Sequence, residues 1–313
     1  MVMKKGFWII LCMFFIPPVT FAGNMKLHYD RPAEYFEEAL VIGNGTMGAT
    51  LYGGVKKDKI SFNDITLWTG EPESENSSPD AFNTIPEIRA LLDNEDYQGA
   101  DKAQYKVQGH YSENYQPLGT LTIEYLDDTA GISDYHRWLD IGNATARTQY
   151  LKDGKLFTSD YFASAPDSVI VIRLKSENKE GIHASLSFDS PLPHSSQVAD
   201  NEISVEGYAA YHSFPVYYKA EDKHRYDPER GIHFKTLVRV LSVDGSVKDR
   251  YSDSRIEIDG STEVLILIAN VTSFNGFDKD PVKEGRNYRS HVEKPMMLCE
   301  RHILETINII STV

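Results

Sequence analysis

The sequence predicts a mainly β protein: a large two-sheet antiparallel β-sandwich with a short αα-hairpin insertion and a C-terminal helical linker. Three observations carry this. From Ala49 onward, apolar and polar residues alternate with period two through many short segments in series, the pattern of half-buried strands. Turn dipeptides such as Asp153-Gly154 and Asp259-Gly260 separate neighbouring segments, as they do in hairpins. In one run, Val169 and Val171 on one side and Ile170, Ile172 and Leu174 on the other are all apolar, which marks a central strand covered on both faces. Many strands in series with few helices favour a sandwich over a helix-covered sheet.

The chain opens with a targeting pattern. Lys4 and Lys5 precede an apolar run from Gly6 to Ile16, and Thr20-Phe21-Ala22 supplies small residues at the cleavage positions. Residues 1–22 are expected to be a signal peptide, and the mature chain to be periplasmic or extracellular. The apolar run is too short to span a bilayer. Cys12 lies inside it after Leu11, which is not the small residue a lipid-anchor signal needs.

After the leader, Gly43, Gly45 and Gly48 surround a turn that leads into a strand from Ala49 to Val55. Ile60 and Phe62 mark a second short strand, and Asn63-Asp64 is placed to cap the turn after it. Residues 69–86 are polar and rich in proline, the composition of a long surface loop. A helix follows, with Thr84 as cap, Pro86 near the first turn and Ile88, Leu91 and Leu92 on one face. A second runs from about Asp96 to Val107, making an αα-hairpin laid on the β body. Further strands are expected at 118–125, 135–140, 144–151, 155–163, 168–176, 182–189, 202–207, 231–244, 255–258 and 263–272. A helix is expected from Asp280 to Glu293.

Bulk properties narrow the function classes. The chain has 313 residues and a net charge of −14, made two units more negative when Lys4 and Lys5 leave with the leader. So acidic a chain, with no basic cluster, repels phosphate backbones and excludes nucleic acid as a partner. There are 2 cysteines, and loss of Cys12 leaves Cys299 without an intrachain partner. No Cys/His set has zinc spacing, and no phosphate-binding loop or nucleophile elbow occurs, so no metal or cofactor is expected. The glycines at 43, 45 and 48 match GxGxxG, but they precede a strand where a dinucleotide loop opens a helix.

The residues from Tyr29 to Trp68 also carry a resemblance. Tyr29, Arg31-Pro32-Ala33, Glu38-Ala39-Leu40, Gly43-Asn44-Gly45, Gly48-Ala49, Tyr52-Gly53-Gly54, Asn63, Thr66-Leu67-Trp68 and Gly70-Glu71-Pro72 match, in order, the start of the N-terminal domain of glycoside hydrolase family 95 α-L-fucosidases. The helical hairpin, the Gln116-Pro117-Leu118-Gly119 turn, the segment from Asp160 to Leu174 and Thr272-Ser273-Phe274-Asn275-Gly276-Phe277 extend the resemblance to Tyr288. It implies a supersandwich of two packed antiparallel sheets over residues 23–278. A helical linker should then lead to an (α/α)6 catalytic barrel. It further implies inverting cleavage of fucosylated oligosaccharides. A barrel Glu would act as the acid, and a barrel Asp with Asn partners would position the water. None of those positions falls in this sequence, so no catalytic residue is assigned.

Residues 279–313 are read as the linker start and an aberrant tail. The last 19 residues, from Pro295, do not resemble the family. A reading frame shifted near Lys294 permits RKTHIRDYQYYFNR, which is similar to the family's HxxDYQxxFNRV. The expectation is a frameshift that removed the barrel, the domain's intramolecular partner. The alternatives are a stand-alone carbohydrate-binding module and a non-functional remnant exposing an apolar patch. The maltose phosphorylase group shares the architecture and stays open as an alternative on specificity.

The candidate substrate-binding residues are Trp68, Glu71 and His110. Trp68 is read as a wall facing a sugar, against core or interdomain packing, the commoner fate of a large aromatic. Asp64 with Glu71, and Glu113 near His110, are the nearest approaches to an acid pair; solvated loop charges are the plainer reading. His110, Tyr111 and Gln116 would line a groove, or simply pack and bond a turn.

Overall fold

In a computed structural model, residues 25–72, 80–109 and 112–311 are described, with side chains through His302. The signal-peptide residues, His110 and Tyr111 lie outside them. The chain begins with strands β1 (Lys26–Tyr29), β2 (Leu40–Gly43), β3 (Met47–Leu51) and β4 (Lys57–Asp64). Helices α1 (Ala81–Asp93) and α2 (Tyr97–Gln104) form the hairpin, with Ala100 and Ala103 buried and Phe82, Tyr97 and Tyr105 exposed. Then come β5 (Gly119–Tyr125), β6 (Ile132–Asp140), β7 (Thr145–Lys152), β8 (Lys155–Ser164), β9 (Val169–Ser176) and β10 (Ile182–Asp189). Next are β11 (His194–Ala199), β12 (Glu202–Tyr208) and a small pair, β13 (His212–Ser213) with β14 (His224–Arg225). The last strands are β15 (His233–Ser242), β16 (Ser246–Arg250), β17 (Arg255–Ser261) and β18 (Glu263–Thr272). Helices α3 (Tyr288–His291) and α4 (Glu293–Ser311) end the chain.

The strands make two large antiparallel sheets. The 9-stranded sheet runs β1-β6-β7-β8-β9-β18-β15-β12-β11 and the 7-stranded sheet runs β16-β17-β10-β5-β4-β3-β2. The alternation that predicted strands fixes which face is core. On β4, Ile60 and Phe62 are buried, and on β5 their row continues as Leu121 and Ile123. These meet Ile170, Ile172 and Leu174 of β9 and Ile266 and Ile268 of β18 in one inter-sheet core. The opposite side of the same central strands is also apolar. Val169, Val171, Leu237, Leu267 and Ala269 pack under Val292, Met296 and Cys299. The double covering read from the Val169–Leu174 run is therefore met by the second sheet on one side and by α4 on the other.

Several boundaries differ from the sequence reading. The strand expected from Ala49 to Val55 is β3, which ends at Leu51. Gly53 takes φ +69 there, and a Cβ on it would lie 2.6 Å from the Tyr135 hydroxyl, so the chain turns where only glycine fits. Helix α1 starts three residues before Thr84. Thr84 sits inside its first turn, its hydroxyl donating to the Asp80 carbonyl at 2.9 Å. The helix expected from Asp280 is a turn instead, in which the Asp280 carboxylate accepts from the amides of Val282 and Lys283, both at 2.9 Å. Helix begins only at Tyr288, after Asn287, whose side chain accepts from Ser290 N. Strands β1, β2, β11, β13, β14 and β16 were not anticipated.

Two buried charges tie the sandwich together. Arg137 is 1% exposed; its Nε and Nη1 each donate at 2.8 Å to the carbonyls of Arg31 and Glu38, and its guanidinium stacks 4.1 Å from the Tyr29 ring centre. Every partner belongs to the opening segment, which is thereby latched to β6. Asp58, also 1% exposed, accepts from Gly54 N at 2.9 Å and from the Tyr161 hydroxyl at 2.7 Å. Burial outweighs these bonds and pushes its carboxyl up to about 6.

Two outcomes follow. The folded-state pKa of Asp58 lies above the ordinary value of about 4, so the stability that its protonation contributes is full below about pH 4 and is lost as pH rises through 6. In Asp58→Asn this loss, about 2–3 kcal/mol, should vanish from the stability difference between pH 4 and pH 7. Urea unfolding at both pH values measures it, and an unchanged difference refutes the assignment. Cys299 is buried beneath α4 and its thiol is pushed up to about 11, chiefly by burial. Native protein should therefore resist thiol reagents at pH 8, and urea should release rapid labelling; fast labelling without urea would show that α4 does not hold its place.

Candidate functional site

At one end of the sandwich, the residues after β4 build a cleft. The Asp64 carboxylate accepts from Thr66 N at 2.9 Å, from the Thr66 hydroxyl at 2.6 Å and from Asn270 Nδ2 at 2.8 Å. This is the turn cap expected of Asn63-Asp64, with Asp64 itself buried. The turn sends Leu67 into the core at 0% exposure and leaves Trp68 at the surface at 44%. The Trp68 indole donates to the Ile65 carbonyl at 3.0 Å, and its ring meets that of Tyr115 at 5.3 Å between centres. Trp68 is thus held in one orientation while its outer face stays open.

Beyond Trp68 the chain is pinned from several directions. Thr69 N donates to the Asn114 carbonyl at 2.8 Å and Gly70 N to the Ala210 carbonyl at 3.0 Å. Gly70 has φ +102, and a Cβ there would meet Glu113 Cγ at 2.5 Å, so this backbone approach excludes other residues. Glu113 accepts from the Thr69 hydroxyl, from Ser213 N at 3.1 Å and from His212 Nδ1 at 2.8 Å. Glu71 pairs with Arg230, whose Nε lies 3.2 Å from Glu71 Oε2 and whose guanidinium stacks 3.7 Å from the Tyr211 ring centre.

Between these groups and residues 274–281 lies a cleft of about 250 Å³, walled by Ile65, Trp68, Glu71, Pro72, Phe274 and Phe277. Phe277 is 88% exposed. The volume is slightly below the ~300 Å³ at which pockets enclose drug-sized ligands, and the mixture of aromatic walls with a few polar groups is that of a small-ligand site.

Of the residues singled out by sequence, Trp68 and Glu71 line this one cleft, and His110 lies outside the described residues. Asp64 and Glu71 do not form an acid pair: one is buried among Thr66 and Asn270, the other faces Arg230 at the surface. Glu113 accepts from His212 Nδ1, and the pairing of Glu113 with His110 falls outside the described residues. Gln116 is buried and its amide donates to the Tyr115 carbonyl at 3.3 Å, the turn-bonding alternative. Arg230, His212 and Phe277 were not foreseen. The motif Phe274-Asn275-Gly276-Phe277 was visible in sequence, but nothing local placed it beside Trp68. Among the described residues, no group of three or more His, Cys, Asp or Glu could hold a metal ion.

Comparison with known proteins bears on what this end of the sandwich serves. Residues 27–276 match the family model described as Glycosyl hydrolase family 65, N-terminal domain. "Alpha-L-fucosidase 2" of Arabidopsis thaliana is 29% identical over 86% of this chain and 34% of its own length. "Probable alpha-fucosidase A" of Aspergillus niger is 27% identical over 84% of this chain and 32% of its own, and that of Aspergillus oryzae 24% over 82% and 35%. A solved structure, a "Putative kojibiose phosphorylase from human microbiome", covers 88% of this chain and 35% of its own at 9% identity and a TM-score of 0.47. The chain spans about a third of the length of the curated relatives it matches. The fucosidase resemblance read from the sequence is borne out by these relatives, and the chain belongs to the glycosyl hydrolase family 65 N-terminal domain family.

Proposed function

We propose that this sandwich is the non-catalytic N-terminal domain of an exported α-L-fucosidase-type glycoside hydrolase acting on fucosylated glycans. Its Trp68–Phe277 cleft faces an (α/α)6 catalytic barrel that supplies the acid and the base. The observation that carries this is the state of the carboxylates at the cleft. Glycoside hydrolysis needs one carboxylic acid at the leaving oxygen and a second carboxyl across the bond, roughly 6.5–9.5 Å away in an inverting enzyme. Here Glu71 is engaged by Arg230, and Glu113 by Thr69, Ser213 and His212. Both carboxylates serve to fix loops. The relatives named α-fucosidase support the substrate class, and the open faces of Trp68 and Phe277 support a partner surface at this end.

A second reading, in which the domain binds glycans by itself, is favoured by Trp68 alone: its ring is fixed by the Ile65 carbonyl and Tyr115, yet open on the outside. Such a pre-ordered aromatic is a ready stacking surface for a sugar.

The purified chain should release no fucose from 2′-fucosyllactose or an aryl α-L-fucoside; measurable turnover, abolished in Glu113→Gln, would overturn the non-catalytic reading. Calorimetric titration with a fucosylated oligosaccharide separates the two readings. Saturable, salt-insensitive binding that falls about tenfold or more in Trp68→Ala establishes the binding module, whereas no heat with either form leaves the cleft to a protein partner.

A further inference from the structure

The opposite end of the sandwich holds another pocket, of about 230 Å³. Strand β4 runs from one end to the other; its 8 residues put the two sites about 26 Å apart at ~3.3 Å per residue. The floor is aromatic. Tyr150 of β7 stacks on Phe157 of β8 at 4.8 Å and 19°, and Tyr125 of β5 meets Phe157 edge-on at 5.4 Å and 86°. All three line the pocket.

Tyr150 is the informative residue. It is 5% exposed, it lines the pocket, and its hydroxyl has no hydrogen-bond partner among the described residues. The hydroxyl itself is not sealed off from solvent, so it opens to the pocket and is left to bond whatever enters there. Burial, with Asp58, Tyr135 and Asp127 nearby, pushes this phenol well above its usual range, so it stands as a donor at any physiological pH.

The rim defines what could meet that donor. Lys152 is occupied, with Asp128 at 2.8 Å and Asp153 at 3.4 Å. His183 is occupied by Asp259 at 2.8 Å. Asp127 and Glu180 also line the pocket; their backbones are bonded, Asp127 O by Lys56 Nζ at 2.8 Å and Glu180 N to Asn178 Oδ1 at 3.3 Å, but neither carboxylate has an ion pair or hydrogen bond among the described residues. The rim therefore repels anions. It also lacks the three-ligand grouping of a metal site among the described residues. What remains is an aromatic floor, two unpaired carboxylate acceptors and one unpartnered hydroxyl donor open to the pocket. A pyranose matches this set: its C–H face covers aromatic carbon while its hydroxyls donate to carboxylates and accept from a phenol. The space is several times the ~30 Å³ of a water and short of the ~300 Å³ of drug-sized sites, which limits the occupant to about one sugar ring.

We propose that the Tyr125–Tyr150–Phe157 pocket is an accessory site for a single neutral sugar residue, independent of the Trp68 cleft. Tyr150 donates to a ring or hydroxyl oxygen, and Asp127 and Glu180 accept from sugar hydroxyls. The site would let the domain hold one unit of a glycan away from the place where it is cut.

The test is a titration of the full chain with methyl α-L-fucopyranoside, methyl β-D-galactopyranoside, methyl α-D-glucopyranoside and, as a cation control, tetramethylammonium chloride, read by saturation-transfer NMR and by protein chemical shifts. At least one should bind saturably with no salt dependence. Tyr150→Phe, which keeps the ring stack, and Asp127→Asn should each weaken binding about three- to tenfold, and Trp68→Ala should leave it unchanged. Four outcomes overturn the proposal. They are no binding of any glycoside up to its solubility, binding unaffected by both variants, binding lost in Trp68→Ala but kept in Tyr150→Phe, and a salt-sensitive preference for tetramethylammonium. The Trp68→Ala arm keeps failure here separate from failure of the cleft reading.

Discussion

Three central strands, β9, β18 and β15, carry apolar side chains on both faces, and this double burial dictates the layers. Each Val, Leu or Ile left open on such a strand would forgo about 1.5–3 kcal/mol of transfer free energy. Ile170, Ile172, Ile266 and Val238 require the seven-stranded sheet on one side. Val169, Val171, Leu237 and Leu267 require the C-terminal helical segment on the other, through Val292 between α3 and α4 and Met296 of α4. Away from the helix the same outer face changes character. Arg147 lies beside Asp160 and near Trp138, and Arg173 bonds Glu263 at 2.8 Å. Solvent covers those strands, so ion pairs replace methyl groups there, adding little stability individually but keeping the face soluble.

The strands are regular, and chemistry gathers where they stop. At one end, Asp64, Gly70 and Glu113 spend their hydrogen bonds and backbone conformations on holding Trp68 outward. At the other, the ends of β5 and β7 and the start of β8 leave an unpartnered hydroxyl at the mouth of an aromatic-floored pocket. Between the ends lies a closely filled interior in which Phe62, Leu121 and Ile123 are at most 1% exposed. Such an interior holds strand ends at fixed separations, so that loops can vary in chemistry without moving the scaffold.

The fold was legible where side-chain pattern and burial coincide. Val169 to Leu174 reads as a central strand because every apolar side chain in it has a cover. Strand β1 shows no such signal: Lys26 to Tyr29 are all exposed, and the strand exists because its backbone pairs with β6, a partner more than a hundred residues later. The helix boundary at Asp280 was misread because Asp-Pro suits a helix start and a turn alike, and the two amides on its carboxylate decide for the turn. The site was legible only in part. Trp68 and Glu71 follow one another along the chain, but Arg230 and Phe277 reach the same cleft from segments far away in sequence. Whether Trp68 would face the core or solvent depended on the Asp64 turn, a matter of one hydrogen-bonded bend rather than of composition.

The pairing of β9 with β18 has a kinetic side. Neighbours from β6 to β9 join by short turns, so that meander can form as soon as residue 176 is available. The free edge of β9 has no partner until residues 263–272 arrive, and its Ile170 and Ile172 present an unpaired apolar ladder in the interval. Long-range pairing of this kind is slow to nucleate, and exposed edges recruit other chains. Until β18 closes onto it, this edge of β9 is open to pairing with other chains, and closure removes that edge.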